Sequence, residues 1–186
     1  MVRRSILVFM MCFWFMHFTN AQIQKGTITV GAHLAGMNFD IQRTGGINIS
    51  LSPKVAWFVQ QNLSLGGYAN LGFSKRYEVA NEWTYQAGVV GRYYMLPKKE
   101  GGLSGRTGLF LEGNVGYDGY YVAGLSTSGI NVGIGPGLAY FIRDNISLEG
   151  IVKYDGNFRF NNQNSVSKIL LGIGFQIYFF RNSNKQ

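Results

Sequence analysis

The chain has 186 residues, enough for one domain with its own core, and carries 17 Lys and Arg against 9 Asp and Glu, a net charge of +8. Its only cysteine is Cys12, inside the leader described next, so a disulfide framework and thiolate chemistry are excluded from the exported part. Basic charge scattered along an exported chain points to anionic lipid headgroups rather than to nucleic acid.

Residues 1–21 read as a secretory signal peptide. Arg3 and Arg4 supply a positive n-region, "SILVFMMCFWFMHF" (Ser5–Phe18) is an apolar run of 14, and "TNA" ends it with Thr19 and Ala21. The run is short for a spanning helix, which needs about 20 apolar residues. Cleavage is expected before Gln22, and Cys12 lacks the small residues that precede a lipidated cysteine. Without Arg3 and Arg4 the chain keeps 15 basic and 9 acidic residues, a net charge of +6. It contains 26 glycines and no second apolar run long enough for a membrane helix. A helical membrane protein is thereby excluded, whereas a membrane protein built of strands is not.

Eight segments alternate apolar with small or polar residues at period two, the mark of a strand with two unlike faces. They are 26–37, 46–59, 62–74, 83–96, 107–118, 127–142, 145–155 and 166–180. At about ten or more residues each, they match tilted strands that cross a bilayer. Connections near Gln60–Gln61 and Arg143–Asn145 are tight and suit periplasmic turns. Those at 38–45, 75–82, 119–126 and 156–165 are longer and polar, which suits the outer surface. "PKKEGGLSGR" (Pro97–Arg106) is long for a periplasmic turn and reads as a basic loop, and "RNSNKQ" (181–186) is a short polar tail.

Alternation alone fits a soluble barrel with its apolar face inside or a membrane barrel with that face outside. The second face decides. It carries Gly66, Gly72, Gly88, Gly116, Gly133, Gly135, Gly137, Gly172 and Gly174 among Asn70, Gln86, Asn114 and Asn131. A soluble surface would be rich in Lys and Glu, whereas a cramped lumen needs small residues. The expected fold is therefore all-β: an eight-stranded antiparallel up-and-down transmembrane β-barrel over residues 22–180 in the bacterial outer membrane, with both termini in the periplasm.

One stretch occurs twice. "SPKVAWFVQQNLSLGG" (Ser52–Gly67) returns as "GPGLAYFIRDNISLEG" (Gly135–Gly150), identical at seven of sixteen positions at an offset of 83. The copies are strand 2–turn–strand 3 and strand 6–turn–strand 7, on opposite walls of the ring. Trp57 and Tyr140 fall on the lipid face near the periplasmic end, where amphipathic rings sit at headgroup level. Asn62 and Asn145 occupy the turns. Pro53 and Pro136 each remove a ladder hydrogen bond, and side-chain parity runs unbroken through both, so a local bend is expected without a bulge. The two stretches resemble the Pro-x-x-aromatic-Phe-turn-Asn-hydrophobic motif of small bacterial outer-membrane β-barrel proteins, the porin-like "outer membrane protein β-barrel domain" family. The closing "GIGFQIYFF" resembles the aromatic-ended final strand that barrel-assembly machinery reads. The resemblance implies architecture and leaves function open.

Candidate site residues follow from parity. Lys54, Arg92, Glu112, Glu149, Lys153, Lys168 and Asp155 point into the lumen. They form either a salt-bridge network that fills the bore or the charged constriction of a narrow channel. Phe58, Tyr94, Phe110, Phe141 and Tyr178 turn inward below them, toward the periplasm. His33, alone in the exported chain, faces the lumen without an evident catalytic partner. No catalytic grouping, metal-ligand spacing or phosphate loop is legible, so no cofactor and no enzymatic activity are expected. Three readings follow: a structural or surface-interaction barrel that engages ligands through its outer connections, a small-solute channel, and a barrel enzyme acting on lipid. The expected partners are outer-membrane lipid and an extracellular ligand or protein, with the chain a monomer.

Overall fold

Strands with one face for lipid and one for a lumen can satisfy their backbone groups only by pairing in a ring. The computed structural model shows that ring. It describes residues 23–39, 46–76, 82–95, 106–122, 124–160 and 166–180. The strands are β1 (Ile28–Phe39), β2 (Gly46–Gln60), β3 (Leu63–Arg76), β4 (Glu82–Met95), β5 (Thr107–Val122), β6 (Leu125–Arg143), β7 (Ile146–Arg159) and β8 (Val166–Phe179). Each pairs antiparallel with the next, and β8 returns to β1 through Ile28↔Phe179 to Ala35↔Gly172, closing an all-antiparallel barrel. The expected signal peptide with its cleavage site, the middles of the connections at 38–45, 75–82 and 156–165, nearly all of Pro97–Arg106 and the tail lie outside the described residues.

Periplasmic strand ends fall within two residues of the expected positions, but β5 and β7 each run four residues further outward. The segment 119–126 is therefore no polar loop. Val122 pairs with Leu125, and Gly124 turns the chain with φ +85°. Asp118 and Gly119 imitate a strand end in the sequence. In the fold Asp118 faces the lumen, and Gly119 lies opposite Tyr85, whose ring occupies the space where a Cβ would stand. Tyr120 and Tyr121, good strand formers, then carry the sheet onward. In the same way 156–159 belongs to β7 rather than to a loop.

The repeat is also a structural repeat. The β2–β3 register shifts by one between Phe58 and Gln60, and the β6–β7 register shifts at the equivalent place, between Phe141 and Arg143. Each copy thus carries a bulge beside its turn, which the unbroken parity farther up the strand did not reveal. Asn62 adopts φ 63° as an asparagine turn permits, whereas Asn145 does not take that conformation. Across both prolines the register holds: Leu51↔Leu71 resumes at Lys54↔Tyr68, and Ile134↔Tyr154 resumes at Gly137↔Ile151. The pairing lapses only on the side of β3 and β7, while Pro53 pairs with Ala32 and Pro136 with Leu111 on the other side. In the first copy the Ser52 hydroxyl donates to the Ala69 carbonyl at 3.3 Å, replacing the donor that Pro53 lacks. In the second copy Gly135 stands at that position, and a Cβ on it would collide with the Val152 carbonyl oxygen.

The faces sort as parity requires. Leu71, Val89, Leu109, Ile134, Leu171 and Ile173 are exposed on the outside, while Phe58, Tyr94, Phe110 and Tyr178 are buried inside. Trp57 is exposed on the outer face near its periplasmic end, and Tyr140 is half-buried on the same face of β6. A surface so apolar around a closed sheet requires a bilayer.

Candidate functional site

The centre of the lumen is occupied by charged side chains that reach across from different strands. Arg92 on β4 is the hub. Its Nε and Nη2 donate to Glu112 Oε2 at 3.0 and 2.6 Å, and its Nη1 donates to Glu149 Oε1 and Oε2 at 2.8 and 2.7 Å. The guanidinium lies 3.9 Å from the Phe110 ring centroid, a cation–π contact in a desolvated place. Lys54 on β2 donates to Glu112 Oε2 at 2.7 Å and meets His33 Nδ1 at 3.2 Å. His33 Nε2 meets Glu149 Oε2 at 3.0 Å. An ammonium offers only donors, so His33 Nδ1 accepts, and the ring proton sits on Nε2, which donates to Glu149. Glu112, Lys54, His33, Glu149 and Arg92 therefore form one closed circuit of hydrogen bonds. It crosses the bore and ties β5, β2, β1, β7 and β4 together.

Glycines make the room. The offset that relates the two copies places Gly137 at the position equivalent to Lys54 and Gly66 at the position equivalent to Glu149. A long charged side chain on one wall thus faces a wall without one. Gly137 also leaves space for the Phe110 ring, and Gly174 for the His33 ring.

Below the circuit the rings form a floor. Tyr94 packs against Phe58 at 5.5 Å, Phe110 at 5.7 Å and Tyr178 at 6.4 Å, and Phe141 packs on Tyr178 at 5.4 Å. The floor is bonded to the charges above it. Arg92 Nη1 donates to Tyr94 Oη at 2.8 Å and to Gln176 Oε1 at 2.6 Å, and Tyr178 Oη donates to Tyr94 Oη at 3.2 Å. Ile23 joins the aromatic cluster from beneath. The Asn62 side chain accepts from Ile23 N at 3.3 Å, and a turn at Lys25–Gly26 (Gly26 φ 91°) leads from there into β1.

The expected residues divide by depth. Lys54, Arg92, Glu112 and Glu149 are buried and joined in the circuit. Lys153 stands at its upper edge, with Nζ 3.5 Å from Glu112 Oε1. Lys168 is exposed at the outer end of β8, level with Asp155, and does not belong to the network. Parity indicates its face but not its height. All five aromatics expected in the floor are in it. Three participants were not legible as such: His33 as a link, Gln176 as an acceptor and Ile23 as the lower stopper.

Above the circuit a second group, built mainly of asparagines with one carboxylate, Asp155, fills the outer half. Asn114 donates to Tyr68 Oη at 2.9 Å and to Asn131 Oδ1 at 2.7 Å, and Asn131 donates to Asp155 and to Asn157 Oδ1. Near the rim Arg159 pairs with Asp118 at 3.2 Å. A cavity of about 40 Å³ remains among His33, Lys54, Tyr68, Asn70, Glu112 and Lys153. That is room for a few waters, each needing roughly 10–15 Å³ of such space.

No family model and no curated protein sequence matches the chain. Solved structures do. Neisserial surface protein A superposes with a TM-score of 0.55 at 15% identity, over 82% of this chain and 96% of that one. The N-terminal β-barrel domain of OprF from Pseudomonas aeruginosa gives 0.54 at 11% identity, over 84% and 100%. This chain shares their fold, a closed eight-stranded antiparallel β-barrel. At such identities the likeness speaks for the fold, and it joins the exposed apolar girdle, which independently calls for a bilayer.

Proposed function

We propose that this barrel is a non-conducting outer-membrane protein with a structural or surface-interaction role, acting as a monomer and meeting extracellular partners at its outer rim. The observation that carries the reading is the sealed bore: a closed hydrogen-bond circuit lies directly on an aromatic floor. Every buried charge in the circuit faces a partner, which buried charges require. Conduction would demand that these pairs separate and that five packed rings move. Catalysis by His33 is disfavoured for a similar reason, since both ring nitrogens are engaged and the side chain is buried. With the bore filled, the surface open to other molecules is the rim, where Tyr121 and Phe160 are exposed. Of the two solved relatives above, one is by name a surface protein.

The test is electrical. Pure, folded protein in planar bilayers should show no steady conductance. Reproducible, ion-selective single-channel steps would overturn the reading and make the barrel a narrow channel.

A further inference from the structure

The outer wall is not uniformly convex. A trough of about 570 Å³ runs along the row Leu109, Leu138, Gly150, Ile173 and Leu34, which are cross-strand neighbours on β5, β6, β7, β8 and β1. Pro136 borders it. All six are apolar or glycine, and the trough is continuous with the lipid-facing girdle. Gly150 lines it, and an added Cβ there would meet no atom within 4 Å. The row starts near the periplasmic end, with Leu109 only two residues into β5, and climbs to Leu34, six residues into β1.

The rim below its lower end is basic. Arg106 immediately precedes β5 and Arg143 ends β6, both are exposed, and Thr107 and Tyr140 pair between them. Asp144, also exposed, offsets one of the two charges. From Arg106 to Leu109 is about 10 Å along an extended strand. A cationic, aromatic rim leading into an apolar trough matches a phosphate with an attached hydrocarbon chain.

We propose that the trough holds one acyl chain of a phospholipid from the periplasmic leaflet, with its headgroup phosphate at Arg106 and Arg143. The selectivity comes from shape. Lipid tails are as apolar as leucine, so apolarity alone favours no bound lipid over bulk lipid. A wall atom without a partner forfeits its dispersion contacts, and a linear chain lying in the trough restores them. The inference is independent of whether the bore conducts.

The full-length processed protein, extracted in mild detergent and given phosphatidylglycerol, can be examined by native mass spectrometry. Wild type should retain one phosphatidylglycerol. Gly150→Leu places its Cβ in open space within the trough, with no atom inside 4 Å, so it should fold and lose retention by roughly tenfold. Arg106→Gln with Arg143→Gln should lose a comparable amount. Gly67→Leu, at another outward glycine with only the Gly88 carbonyl oxygen within 4 Å, should bind as wild type does. Equal retention in Gly150→Leu, or equal loss in Gly67→Leu, would overturn the site. Full retention in the double glutamine variant would overturn the headgroup assignment. A wild-type dimer that Gly150→Leu dissociates would give the trough to a second copy of the chain instead.

Discussion

Replacing Glu112 with alanine removes the carboxylate on which three cations converge. Lys54 lies 2.7 Å from it, Arg92 2.6 Å and Lys153 3.5 Å. Their fates differ. Arg92 retains both oxygens of Glu149. Lys153, partly exposed, can turn to water, and its loss is worth at most about 1 kcal/mol. Lys54 keeps only a neutral histidine nitrogen, in a place where its side chain is 4% exposed. Stranding a buried charge costs about 3–5 kcal/mol, and that is the expected destabilisation of Glu112→Ala. Lys54→Met alone leaves Glu112 on Arg92 and should cost about 1–3 kcal/mol, the value of a charged hydrogen bond. In the Glu112→Ala background Lys54→Met should restore stability, because it removes the stranded ammonium, with a coupling of about 1–3 kcal/mol. The measurement is reversible urea unfolding in lipid vesicles, followed by the fluorescence of Trp57 and Trp83, which face lipid. A Glu112→Ala cost below about 1 kcal/mol, or strict additivity of the two substitutions, would show that the circuit does not hold the barrel together.

Leu171→Arg, on the exposed outer face of β8, should destabilise the barrel in lipid by about 2–4 kcal/mol, while Asn70→Ser in the lumen should change little; normal folding of the arginine variant would mean that the faces are reversed. Ser52→Ala should cost about 1 kcal/mol by removing the donor to the Ala69 carbonyl, and almost nothing in a Pro53→Ala background, where a backbone N–H returns; equal costs in both backgrounds would refute the substitution of hydroxyl for amide. Mass spectrometry of protein from outer membranes should find Gln22, or its cyclised form, at the N-terminus, and an intact Met1 would refute export by a cleaved leader.

The strand number, the closure and the direction of every charged side chain in the circuit were legible because alternation at period two is a local property. Lys54, Arg92, Glu112 and Glu149 needed only parity to be placed inside. Depth is different, since it depends on how far each strand extends. Lys168 shares a face with Glu149 and Asp155 but lies too near the rim to reach the network. The link from His33 on β1 to Glu149 on β7 passes over β8 between them, and no pattern within one segment encodes such a crossing. Ile23 precedes the first alternating residue and leaves no period to read. The overextended loop at 119–126 came from a glycine and an aspartate that serve within the strand, Gly119 under the outward Tyr85 ring and Asp118 in the lumen beside Arg159.

The likeness of the two halves has a consequence for assembly. Ser64 pairs with Arg92 where Ser147 pairs with Gln176, and the Tyr94 and Tyr178 amides donate to Asn62 and Asn145 in the same way. In backbone pairing around these turns, the two halves are near duplicates. A nascent sheet could therefore dock with the half of another molecule almost as well as with its own. The charged side chains of the circuit do not repeat. One half brings Arg92, Lys54 and Glu112, and the other brings Glu149, Gln176 and, at the position of the first half's Lys54, Gly137. Two copies of the first half would bring lysine to face lysine and glutamate to face glutamate, with no Glu149 for the guanidinium. The unlike charges in the bore thus act as a lock on partner identity while the wall is forming, and a sequence that repeats its strands can still close on itself alone.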